Sequence, residues 1–93
     1  MGVTVSDAAG ELLVLRKARD NKMWRHEVGH IIYDDGRPLK PWLLPHFHRL
    51  LADGHLMVVA RRYTTGVSER VELTPLGRER LWAREREWRS ELT

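Results

Sequence analysis

The chain has 93 residues, 42% hydrophobic and 31% charged, with four tryptophans and no cysteine; this fits one small domain over residues 1–93 and excludes disulfides, thiolate zinc centres and a disordered tail. No apolar run reaches the roughly 18–20 residues that span a bilayer, and the opening MGVTVSDAAGE lacks a basic-then-apolar leader, so a cytoplasmic protein with no membrane partner is expected. Sixteen Lys plus Arg, thirteen of them arginine, against thirteen Asp plus Glu give +3, a balance that permits a nucleic-acid partner without requiring one.

From about Ser6 to Asn21 the apolar residues recur at helical spacing. Ala8, Leu12, Leu15 and Ala18 form the stripe, Leu13 and Val14 widen it, and Ser6 or Asp7 is placed to cap the first turn. Met23 to Tyr33 alternates instead, and its Val28–Tyr33 tail is β-branched and aromatic, which predicts a strand ended by the turn Asp34-Asp35-Gly36. Prolines at 38, 41 and 45 confine the next segment to a short helical turn near Leu39–Leu44 and a helix from Pro45 to Ala52. On that helix Phe47, Leu50 and Leu51 face inward, His46, His48 and Arg49 lie nearer solvent, and Gly54 stands where a left-handed cap belongs. His55–Tyr63 and Val67–Leu73 make a hairpin through Thr64-Thr65-Gly66. Thr74-Pro75 then opens a last helix, Leu76–Ser90, with a hydroxyl cap and proline at its first position. The fold class is α+β.

Helix, strand, one or two short helices, hairpin, helix: this order resembles a winged helix-turn-helix domain of the general MarR or PadR-like bacterial kind. The residues that carry the resemblance are Leu50-Leu51-Ala52-Asp53-Gly54-His55-Leu56 and Val71-Glu72-Leu73-Thr74-Pro75-Leu76-Gly77-Arg78-Glu79-Arg80-Leu81. It covers about residues 8–85. In that pattern Leu73 closes the wing strand on the core, Thr74 caps the following helix, Gly77 allows close helix–sheet approach and Leu81 packs back one turn later.

The resemblance implies a winged helix-turn-helix with a C-terminal helix over 74–93. It also implies double-stranded DNA as partner, no cofactor, no enzymatic activity, and a role as a small transcriptional regulator or mobile-element accessory factor. The Pro45–Ala52 helix would enter the major groove with His46 and Arg49 as contacts and Lys40 nearby. Arg61, Arg62, Thr64 and Thr65 would hold the wing on backbone or minor groove. Such proteins dimerise through terminal helices, so a homodimer seam is expected among Leu81, Trp82, Trp88 and Leu92. The candidate recognition helix has no Asn, Gln or Ser for base edges, which leaves a winged module that binds protein rather than DNA as the alternative.

Residues 26–30 spell His26-Glu27-Val28-Gly29-His30. On a helix, His26 and His30 share a face and can ligate zinc while Glu27 polarises a bound water, as in zincin metallopeptidases. On a strand the two imidazoles sit roughly 13 Å apart and cannot share a metal. The alternation favours the strand, and Tyr33 and Gly36 stand where a metzincin glycine and third histidine belong. A small zinc metallopeptidase is therefore the lowest-ranked alternative, and no metal is expected.

Three charge patterns stay open. Arg61-Arg62 suits phosphate contact or the charged edge that discourages strand pairing. Arg16, Lys17, Arg19, Lys22 and Arg25 form a second basic patch, which touches phosphate or is simply the wet face of the first helix. The last helix alternates Arg and Glu, a pattern of i,i+4 pairs or of a two-helix interface. That interface is either a dimer seam or the same helix folded onto the core of its own chain.

Overall fold

The first apolar stripe folds as helix α1 (Asp7–Arg19) in the computed structural model. The backbone described covers residues 7–26, 31–63 and 66–92, and the side chains those residues without 61–63, 66–68 and 90–92. Leu12, Val14, Leu15 and Ala18 are buried, but Ala8 and Leu13, expected on the inward face, are exposed. Sheet and two further helices all touch α1, so its buried arc is set by three neighbours rather than by one stripe.

The alternating stretch is two strands instead of one. β1 (Met23–His26) and β2 (Ile32–Asp34) pair antiparallel with Trp24 opposite Tyr33. The His26 amide donates to the Ile31 carbonyl at 2.9 Å. Asp35 (φ 52°) and Gly36 (φ 82°) then turn the chain into β3 (Arg37–Pro38). Two positive φ angles on an Asp-Gly pair are the type I′ geometry that matches strand twist, which is why a turn placed by sequence becomes a hairpin.

A 3-10 turn (Pro41–Leu43) runs straight into helix α2 (Leu44–Ala52), with Pro45 in its first turn. These are the short helical turn near Leu39–Leu44 and the following helix expected from the prolines, joined here without a break, and the β2–β3 hairpin precedes them. Prolines at 38 and 41 remove the amide donors that a longer helix would use. α2 closes as the Gly54 position predicts, with φ 81° there, His55 N–H on the Leu50 carbonyl at 2.9 Å and Gly54 N–H on the Leu51 carbonyl at 3.2 Å.

β4 (Leu56–Tyr63) and β5 (Gly66–Leu73) form the long hairpin, in register from Leu56 opposite Leu73 to Tyr63 opposite Gly66. Gly66 is thus the first residue of a strand rather than part of the turn. β1 pairs with the other edge of β5, which gives one antiparallel sheet in the order β3-β2-β1-β5-β4. Helix α3 (Pro75–Leu92) follows. The Thr74 hydroxyl accepts the Gly77 amide at 3.0 Å and donates to the Gly54 carbonyl at 2.6 Å, joining the start of α3 to the end of α2. A Cβ at Gly77 would overlap the His55 carbonyl oxygen, so the close approach needs glycine there.

The architecture is α+β, with one face of the sheet covered. Leu12, Leu15, Phe47, Leu50 and Leu81 from the helices meet Met23, Ile32, Leu56 and Val71 of the sheet in one core. Strand residues of the opposite parity, among them Trp24, Tyr33, Met57, Val59 and Arg70, contribute nothing to it. Among the described residues no helix is long and apolar enough to cross a membrane.

Candidate nucleic-acid interface

Four arginines of α1 and α3 are engaged by the opposite helix's carboxylates. Glu11 accepts from Arg80 at 2.8 Å and from Arg84 at 2.6 Å, while Glu85 accepts from Arg16 at 3.3 Å and Arg19 at 3.0 Å. Burial by itself would raise the Glu11 carboxyl. The hydrogen bonds and charges of Arg80 and Arg84 outweigh it and hold the group below the ordinary carboxylate range. Lys17 pairs with Asp34 at 2.5 Å, and Arg25 with its cross-strand neighbour Glu69. Of the second basic patch, Arg16, Lys17, Arg19 and Arg25 are thus ion-paired within the chain. Among the alternating charges of α3, Arg80, Arg84 and Glu85 pair with α1 in this way. Arg84 to Glu87, at 2.8 Å, is an intrahelical pair, but the main partners lie on α1 of the same chain.

α2 is different. It is held by Phe47 and Leu50 in the core, and its sequence from Leu44 to Ala52 contains no acid. Arg49 is exposed and has no carboxylate partner among the described residues; it borders a cleft of about 180 Å³ shared with Asp7, Asp53 and Arg80. His48 is exposed as well, with its ring edge-on to Phe47 at 5.4 Å between centroids. Lys40, just before the 3-10 turn, is exposed with its ammonium 5.8 Å from the Trp42 ring centre, a cation–π distance.

His46 lines the same cleft as Arg49. It is half-buried against α1, and a Cβ on Gly10 would come within 2.5 Å of its ring. The sequence held a signal for this that the helical stripe concealed. A glycine inside a helix costs about 1 kcal/mol against alanine, so Gly10 marks a close approach. His46 is the ring that makes it.

Arg61 and Arg62 lie on β4 opposite Ser68 and Val67, in the outer half of the hairpin. Thr64 and Thr65 lie outside the described residues. The expected α3 seam is divided. Leu81 is 5% exposed and belongs to the core of its own chain, so it is removed from any dimer seam. Trp82 and Trp88 are 62% and 42% exposed, with Arg86 stacked 4.6 Å from the Trp82 ring centre. Leu92 ends α3, and its side chain lies outside the described residues.

The metallopeptidase geometry fails at its first ligand. His26 ends strand β1, whereas ligation at i and i+4 requires a helix. Glu27 and His30 lie outside the described residues. Among the described residues no three His, Asp or Glu side chains converge to hold a metal. No family model matches the chain, and neither a curated protein nor a solved structure matches it.

Proposed function

We propose that the chain binds double-stranded DNA as a winged-helix protein, with α2 as the major-groove element and the β4–β5 hairpin as the wing. In that role it is a small cytoplasmic regulator or mobile-element accessory factor. The observation that carries this reading is the division of charge. The arginines of the α1–α3 seam are neutralised within the chain, while acid-free α2 presents Arg49 and His48 to solvent and leaves the Arg49 charge without a carboxylate among the described residues. Topology supports it. The two longest strands, β4 and β5, continue two residue pairs beyond β5's pairing with β1, and α2 contacts β4. An α-helix, about 10–12 Å across with its side chains, fits a major groove about 12 Å wide.

The contacts proposed are Arg49, His48 and Lys40 from the α2 side, and Arg61, Arg62, Thr64 and Thr65 from the hairpin, with His46 holding α2 against α1. Arginines without base-edge partners act on phosphate, so affinity exceeds sequence discrimination. Titration of labelled duplex at two salt concentrations tests this. Arg49→Ala and the double change Arg61→Ala, Arg62→Ala each weaken binding to all sequences alike, and each reduces the salt slope by about one for every phosphate no longer neutralised. Unchanged affinity in both variants removes DNA binding from the account. A second copy of the chain seated on α3 at Trp82 or Trp88, which six residues' spacing turns to different sides of the helix, belongs to the same proposal, and sedimentation of Trp82→Ser and of Trp88→Ser against the unaltered chain measures it.

A further inference from the structure

We propose that the open face of the sheet is a stacking platform for unpaired nucleobases, and hence a second site that takes single-stranded nucleic acid. Cross-strand register places Val59, Arg70, Trp24, Tyr33 and Pro38 in one row across all five strands. Trp24 and Tyr33 stack with ring centres 4.3 Å apart and planes within 12°. His26 joins them at 6.2 Å and 6.4 Å, tilted by 48° and 60°. Three rings thus gather on the face that gives nothing to the core, where no described helix covers them. Trp24 and Tyr33 remain only half-buried.

Charge on this face selects the occupant. Arg70 is the register neighbour of Trp24 and has no carboxylate partner among the described residues. Arg61, opposite Ser68, takes the next register position of the same parity along β4, and on the other side of Arg70 the one acid of that parity on the described part of β5 is Glu72, across from Met57. An aromatic cluster flanked by arginine suits a ligand with flat faces and a polyanionic backbone. Paired bases in a duplex keep their faces inside the helix, so only unpaired bases reach such a surface. The site stands apart from the α2 surface, which packs on the other face of the sheet.

The test titrates fluorescein-labelled dT12 with the full chain and follows the four indole N–H signals of the unaltered protein by NMR. The expected result is salt-sensitive binding that moves the Trp24 indole and leaves those of Trp42, Trp82 and Trp88 in place. Trp24→Ala or Tyr33→Ala weakens dT12 binding about 5- to 100-fold, the loss of one stacked base. Arg70→Gln weakens it less and flattens the salt dependence. Arg49→Ala leaves dT12 affinity unchanged, which separates this site from duplex binding. No binding of dT12 overturns the proposal, as does unchanged affinity in folded Trp24 and Tyr33 variants. A duplex of equal length that moves the Trp24 signal as dT12 does also overturns it. Since the NMR readout uses the unaltered chain, a variant that fails to fold leaves the answer intact.

Discussion

The arginines of the α1–α3 seam and the lone arginine of α2 have opposite electrostatic fates. Along the α1–α3 seam, Arg16, Arg19, Arg80 and Arg84 converge on Glu11 and Glu85, and with Asp20 and Glu87 beside them four cations meet four carboxylates. Along α2 no acid interrupts the helix, and the single Arg49 keeps its charge. A count of cations therefore says little about polyanion binding; the partners of each cation decide it. Forked guanidiniums serve both regions, binding carboxylate in one and offered to phosphate in the other.

The sharpest way to break the comparison is at the joint that holds both regions. Gly77→Ala forces a methyl against the His55 carbonyl, backbone that cannot swing aside. A loss of about 3 kcal/mol or more in chemical denaturation is expected, with α3 shifted off the sheet. Next in size is Glu11→Ala, which leaves Arg80 and Arg84 without their shared acceptor. The cost is about 1–2 kcal/mol, since the network is only partly screened from water. The same change tests the electrostatic contrast. With the seam's arginines released, duplex affinity at low salt rises instead of falling.

The pH dependence follows from the same carboxylate and is smaller. The folded Glu11 lies below its unfolded value, so its contribution is complete above the ordinary carboxylate range of about 4–4.5 and is lost as pH falls through the depressed value. Thermal unfolding midpoints should decline from about pH 4.5 downward. Glu11→Gln flattens that decline, and a wild-type slope in the Gln variant would show that other carboxylates carry it.

Local chemistry was readable in the sequence where one or two residues settle the conformation. Gly54 caps α2, Thr74 and Pro75 start α3, and Gly77 permits the helix to touch the His55 carbonyl. The hairpin from Leu56 to Leu73 was readable from its β-branched runs and polar turn. What escaped was non-local. Alternation from Met23 to Tyr33 is equally compatible with one strand or with two folded back on each other, because both keep the same parity. The spacing of Ala8, Leu12 and Leu13 does not tell how many neighbours a helix has. Leu81 was readable as a core residue from the strand-to-helix junction, yet its place on an amphipathic helix also suited a seam; burial decides for the core. Nothing near Arg16 or Arg84 in the sequence announces a carboxylate on the far helix.

The span of those ion pairs also governs the order in which the structure can assemble. Glu11 meets Arg80 and Arg84 across separations of 69 and 73 residues, and β1 waits for β5 before it gains its second neighbour. Chain closure over such distances must be completed before either pairing returns any stability. As the polypeptide is synthesised, α1 therefore has its neighbours on the sheet and on α3 only after nearly the whole chain has been made. The α2–hairpin segment, whose partners are close in sequence, can organise first. A nascent chain of this protein would then present its basic helix before its acidic clamps have closed.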